Sequence, residues 1–269
     1  YDVYNGDLYL PLGCFDDIWK IHPVREDYSD YSVSQPRNIQ SNIKLREYQE
    51  PCSKALKKYV NGLFVLPAGT GKTQIGLECA AELKQHTLWL THTKELLEQA
   101  RERCKNNLTC TTSVIASGKC KTEGDLVFAT VQTLVNKIDK GEIKQDEFGL
   151  IIVDEVHHLA SNCESVMMFE KCVNFFSARY KLGLTATLHR ADGLEKTTTK
   201  ILGNVLYELR KNNTKDKLIG YYEGKPILEV PANIFQLPAK IHFINTNYSV
   251  RDKDVYDLSD RIVFSKLIT

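Results

Sequence analysis

Four apolar residues, Leu63-Phe64-Val65-Leu66, lead without a break into Pro67-Ala68-Gly69-Thr70-Gly71-Lys72-Thr73, and then into a helix-like stretch from Thr73 to about Leu83. This order constrains the fold more than anything else in the chain. A short apolar run bounded by turn residues reads as a buried strand, and glycines at a strand–helix junction let backbone N–H groups come close to a ligand. The N–H groups at a helix N-terminus attract anions, and a lysine at that point adds a mobile cation. Gly69, Thr70, Gly71, Lys72 and Thr73 are therefore the candidate cradle for a chain of phosphates, with the Thr73 hydroxyl placed to reach a metal ion bound to them. The strict phosphate-loop pattern has a further glycine five residues before Gly71, where this chain has Leu66.

A second segment gives the loop a partner. Leu150-Ile151-Ile152-Val153 fits a central parallel strand covered on both faces, and it runs directly into Asp154-Glu155-Val156-His157. Two acids thus emerge at a strand's carboxyl edge. Asp154 is placed to hold Mg²⁺, and Glu155 to orient and deprotonate a water aimed at the γ-phosphate of ATP. An acidic pair in a solvated turn would look the same in isolation; beside the glycine loop it gains a chemical meaning.

The motifs together resemble the first motor domain of a superfamily 2 helicase or translocase of the DExH type. Leu45-Arg46-Glu47-Tyr48-Gln49 resembles the family's adenine-reading segment, which implies that Gln49, with Arg46, binds the base. Thr91-His92-Thr93-Lys94-Glu95-Leu96-Leu97 resembles motif Ia, and Ala129-Thr130-Val131-Gln132-Thr133-Leu134 a later strand-binding motif. The resemblance implies that Thr91, Thr130 and Gln132 contact the nucleic-acid backbone, with ordinary strand-end capping as the plain alternative. Thr185-Ala186-Thr187 resembles motif III, so Thr185 and Thr187 take a coupling role and His157 joins Lys72, Asp154 and Glu155 among the catalytic residues. Asp-Glu-Val-His-His and the run from Thr187 to Gly193 look like the XPB, UvsW and restriction-translocase branch, which implies duplex or branched DNA as the partner. An RNA helicase or RNA sensor, and an ATP-gated binding module without unwinding, remain as alternatives. The resemblance extends roughly from Leu45 to Leu202.

Charge does not advertise a nucleic-acid binder: 35 Lys and Arg stand against 34 Asp and Glu, a net charge of +1. A motor domain that holds a phosphate backbone through hydroxyls, amides and a few cations needs no basic excess. The apolar share of 42% is enough for a proper core. The eight cysteines include no Cys-x-x-Cys pair, so reduced thiols in an intracellular protein, of cytoplasm or nucleus, are expected rather than a metal cluster.

Strand-like runs at Leu63 to Leu66, Thr87 to Thr91, Thr112 to Ala116, Leu126 to Thr130, Leu150 to Asp154 and Lys181 to Thr185 alternate with helix-like ones such as Lys94 to Lys105 and Ser165 to Ser177. The expected fold is α/β: a RecA-like phosphate-loop domain with a mainly parallel sheet flanked by helices. Its expected bounds are residues 45–210, preceded by an accessory segment at 1–44 whose aromatics include Phe15, Trp19, Tyr28 and Tyr31. From Lys211 onward the polar run and Pro226, Pro231 and Pro238 suggest an irregular extension over 211–269, with a strand-like Lys240 to Ile244. The family's second RecA-like lobe, which carries an arginine finger, is expected outside this chain, leaving the isolated chain inactive or nearly so.

Overall fold

The computed structural model describes residues 2–4, 7–9, 34–116, 119–159, 163–187, 195–211 and 217–231. The chain divides into two compact units, residues 1–236 and 237–269, and all described residues belong to the first. The run from Leu188 to Gly193, the aromatics of the first 33 residues and the expected strand at Lys240 lie outside the described residues.

The strands in chain order are β1 (Asp2–Tyr4), β2 (Asp7–Tyr9), β3 (Gln40–Ser41), β4 (Asn61–Val65), β5 (Thr87–Thr91), β6 (Leu108–Thr109), β7 (Thr112–Ala116), β8 (Lys119–Cys120), β9 (Leu126–Thr130), β10 (Leu150–Val153), β11 (Tyr180–Thr185), β12 (Val205–Lys211), β13 (Lys217–Tyr222) and β14 (Lys225–Pro231). The helices are α1 (Glu50–Tyr59), α2 (Lys72–Leu83), α3 (Lys94–Asn107), α4 (Val131–Asp139), α5 (Val156–Leu159), α6 (Cys163–Phe175) and α7 (Glu195–Leu202). One 10-stranded sheet, in the order β14-β13-β12-β4-β11-β10-β5-β9-β7-β8, organises the domain. From β12 through β7 every neighbouring pair is parallel. Every such pair needs a crossover, which is why helices alternate with strands.

The apolar runs are central strands because both their faces are covered. Trp89 of β5 joins Phe64, Phe128, Ile152, Leu182 and Leu184 in one buried cluster, which Ala55, Leu56, Ile75, Ala80, Leu97 and Ala100 of α1, α2 and α3 complete. Leu88 and Leu90, the alternate residues of the same strand, join Leu63, Val127, Ile151 and Val153 in a second cluster capped by residues of α4, α6 and α7. Period-two alternation thus divides each strand between two cores rather than between core and water.

Beyond β12 the structure departs from the irregular stretch expected after Lys211. β13 and β14 form an antiparallel hairpin on β12, closed by Glu223 and Gly224, both in the left-handed region with φ of 52° and 73°. Such a two-residue turn matches the twist of its strands. Lys58 Nζ binds Glu223 Oε1 at 2.7 Å and the Tyr59 hydroxyl also donates to it, tying the hairpin tip to α1. Pro226 and Pro231 belong to β14, the outermost strand, where a missing N–H is tolerated. The described end of the accessory segment packs on the core: Arg37 N–H donates to Lys84 O, Ile39 is buried, and β3 pairs with β6.

Candidate active site

The chemistry gathers where β4, β10 and β11 end. Gly69 and Gly71 have φ of 81° and 83°, in the region that side chains avoid, and Gly71 caps α2. A Cβ on Gly71 would lie 2.6 Å from Gln49 Nε2, so a larger residue there would have to displace the Gln49 amide. The departure at Leu66 has a structural counterpart. Leu66 is fully buried, its N–H donates to Thr185 O at 2.8 Å, and its carbonyl lies 3.4 Å from Lys72 Nζ, so this position continues the β4–β11 ladder into the loop.

Lys72 is 8% exposed, and its Nζ lies 3.3 Å from Glu155 Oε1. That contact joins the glycine loop to the acidic strand end across 83 residues of sequence. Glu155 has φ of 50°, a conformation costing about 1–2 kcal/mol for a residue with a side chain, and it turns the carboxylate toward the lysine. Asp154 is 7% exposed; burial first, and then the neighbouring Glu155 charge, push its carboxyl up to about 6, while Lys72 pulls it down.

His157 links the acids to motif III. Thr185 Oγ1 donates its one proton to Thr187 O at 2.7 Å, so the 3.1 Å contact with His157 Nδ1 needs the ring nitrogen as donor. The same Nδ1 lies 3.3 Å from Glu155 Oε2, a buried atom that has no hydrogen bond among the described residues. Lys72, Glu155, His157 and Thr185 thus form one continuous line of contacts.

Gln49 is 2% exposed and its amide is engaged on both sides: Nε2 donates to Thr70 O at 2.8 Å, and Oε1 accepts from Arg46 N–H at 2.8 Å. Tyr48, unmarked by sequence reasoning, adds a 3.0 Å bond from its hydroxyl to Thr70 O. The expected base-reading amide is here a brace of the phosphate loop. Arg46 is exposed, with Nη1 3.4 Å from the Tyr48 hydroxyl.

The three expected nucleic-acid contacts separate. Thr91 is fully buried and its hydroxyl donates to Thr93 O at 3.0 Å, a contact of the kind that the capping alternative describes. Thr130 is half-buried, with Oγ1 donating to Thr133 Oγ1 at 2.9 Å. Gln132 is exposed and lines a groove with His92, Val131, Ser165 and Met168.

One further residue reaches the site without a motif to announce it. Arg103 Nη1 donates to Thr73 Oγ1 at 2.8 Å from α3. An arginine in the run Gln99-Ala100-Arg101-Glu102-Arg103 carries no mark of its own, because the contact is made across two helices.

The family described as "Type III restriction enzyme, res subunit" matches residues 42–190, more than half of the chain. The chain belongs to this family. Its type III restriction enzyme, res subunit domain is the N-terminal RecA-like motor domain of the superfamily 2 helicase and translocase type. It is similar to the DNA 3'-5' translocase XPB2 of Sulfurisphaera tokodaii, with 34% identity over 189 residues, 70% of this chain and 41% of that protein. It is also similar to a putative ATP-dependent RNA helicase, L396, of Acanthamoeba polyphaga mimivirus, at 31% identity over 61% of this chain and 31% of that protein. The UvsW helicase of bacteriophage T4 shares the fold, with a TM-score of 0.55 at 16% identity over 74% of this chain and 78% of that one. The chain spans less than half the length of these two curated relatives. Among the described residues no helix is long and apolar enough to cross a membrane.

Proposed function

We propose that this chain is the nucleotide-binding lobe of an ATP-dependent DNA helicase or translocase acting inside the cell, in cytoplasm or nucleus. The observation that carries the reading is the 3.3 Å contact between Lys72 and Glu155, which brings a phosphate-binding lysine and a water-activating carboxylate to one point. The left-handed glycines fit a phosphate chain, and the buried Glu155 Oε2, without a hydrogen bond among the described residues, fits an acceptor for a water proton. Gly69, Thr70 and Gly71 would cradle the phosphates of ATP, and Lys72 would leave Glu155 to bind the β- and γ-oxygens. Thr73 and Asp154 would hold Mg²⁺, which supplies charge neutralisation on those oxygens. Glu155 would take the proton of the attacking water. His157 would pass changes at Glu155 to Thr185 and Thr187, and so to the DNA track on which Thr130 and Gln132 remain the candidates. Duplex or branched DNA and a second RecA-like lobe of the same polypeptide, bringing an arginine finger, complete the motor.

The test is ATPase stimulation of the full-length protein by duplex DNA, single-stranded DNA and RNA at matched nucleotide concentration. Duplex DNA should stimulate most. Stimulation by RNA alone would favour the second reading, an RNA helicase, which similarity to the mimivirus protein keeps in view. Nucleotide-dependent binding without turnover would favour an ATP-gated module instead.

A further inference from the structure

The motifs account for one cation at this site, and the structure brings two. Lys72 comes from the loop itself; Arg103 comes from α3, the helix that begins at motif Ia, where the Thr93 hydroxyl accepts from Leu96 N–H. Arg103 donates to the Thr73 hydroxyl at 2.8 Å. Thr73 is 6% exposed, whereas Arg103 as a residue is exposed, so the guanidinium enters a buried corner from the solvent side.

Thr73 and Asp154 are the two residues read above as the seat of the divalent ion. A guanidinium offers five N–H donors and one positive charge, enough to occupy a hydroxyl oxygen and offset a nearby carboxylate. A divalent cation seeks the same oxygens and repels the guanidinium, so the two cannot hold the seat together. The metal-free site thus calls for a donor to the Thr73 hydroxyl that can also leave when the ion arrives. An arginine that can reach in and withdraw into water meets both demands.

We propose that Arg103 is a placeholder cation: it keeps the Thr73 hydroxyl in place while the metal is absent, and it is displaced into solvent when Mg²⁺ arrives with the nucleotide. The proposal rests on reading Thr73 and Asp154 as metal ligands. It makes Arg103 a positioning residue and sets the sign of its effect: removing it should help the metal to bind, whereas a residue that supports bound metal would do the reverse.

The experiment is a Mg²⁺ titration of the full-length protein at a fixed concentration of a fluorescent, non-hydrolysable ATP analogue. Arg103→Ala and Arg103→Gln should need roughly three- to tenfold less Mg²⁺ for half-maximal binding, since a competing state is removed. Arg103→Lys, which keeps the charge but loses the fork of donors, should fall between them and the parent. Without Mg²⁺ the melting temperature of Arg103→Gln should drop below the parent's, and at saturating Mg²⁺ and analogue the gap should narrow. Arg103→Gln retains most of the side chain and serves if the alanine variant fails to fold. An unchanged or increased Mg²⁺ requirement in a variant with native circular dichroism overturns the placeholder. Thr73→Ala and Asp154→Ala separate the two levels of inference: if both keep the parental Mg²⁺ dependence, the metal seat is misplaced, and if both lose it while Arg103→Gln matches the parent, only the placeholder fails.

Discussion

The two ends of the central sheet bury a similar set of polar side chains and use them differently. At the amino ends of β5 and β11 lie Gln85, His86 and Lys181, all buried. There the hydrogen bonds go to backbone or to a neutral partner: Gln85 Oε1 accepts from Ser34 N–H, His86 Nδ1 meets Glu147 O at 2.8 Å, with the Glu147 carboxylate farther off at 3.9 Å, and Lys181 Nζ donates to Val173 O at 2.9 Å. At the carboxyl ends Lys72, Asp154 and Thr185 are buried as deeply, but side chains from different strands and helices face one another: Lys72 with Glu155, Glu155 with His157, His157 with Thr185. Buried polarity alone therefore does not mark a site. Charged side chains held against each other around a glycine cradle do, because those contacts can be exchanged for contacts with a ligand.

The sharpest way to break this contrast is Lys72→Ala. Removing one partner of a buried, charge-assisted contact costs about 2–5 kcal/mol, so affinity for a fluorescent ATP analogue with Mg²⁺ should fall by about 100-fold or more. Parental affinity would show that the carboxyl end is no more a ligand site than the amino end. Glu155→Gln comes next in size: in the full-length protein it should keep ATP binding and lose about 100-fold or more of steady-state turnover, the scale of general-base removal. Hydrolysis at the parental rate would move the water-activating role elsewhere. His157→Ala cuts the line of contacts to Thr185 and should lower the DNA-stimulated ATPase by up to about tenfold, as expected for one lost hydrogen bond of about 1 kcal/mol. The DNA-independent rate should fall less; an equal fall in both would deny the coupling role.

The smallest effect belongs to the amino end. Burial lowers the Lys181 ammonium to about 8 from the usual 10.5. Below pH 8 both folded and unfolded chains carry this proton and the folded state bears the whole cost of a buried charge. Between 8 and 10.5 the unfolded chain binds more protons than the folded one, so the cost fades as pH rises. Lys181→Met should therefore stabilise the protein at pH 7 by about 1–2 kcal/mol, after allowing for the lost bond to Val173 O, with a smaller gain at pH 10. Urea unfolding at the two pH values measures it, and an equal gain at both would mean that packing, not charge, is responsible.

What the sequence disclosed follows from the range of the interactions involved. Two parallel strands, Thr87–Thr91 and Leu126–Thr130, have the bounds that their apolar runs suggest, because strands covered on both faces leave few polar residues to blur the pattern; Thr112–Ala116, half-buried from Thr112 to Val114, keeps its expected bounds as well. The loop from Gly69 to Thr73 and the acids at 154 and 155 are equally local signals. The β13–β14 hairpin was hidden by Pro226 and Pro231, which read as breakers although an outer strand accepts them, and by a Glu-Gly turn in place of the commoner Asn-Gly. Arg103 and Tyr48 were beyond reach for another reason: each contact depends on which element packs beside it, and no short window of residues contains that.

The bond from Leu66 N–H to Thr185 O, which carries the ladder past the end of β4 into the loop, makes one backbone proton a reporter on the relation between two motifs. An amide locked in this way trades its hydrogen for deuterium only when the segment opens, so the protection at Leu66 measures how often the phosphate loop and motif III come apart. A cycle that transmits strain along β11 at each turnover would be visible there as a change in exchange rate, residue by residue, without a probe attached to nucleotide or to DNA.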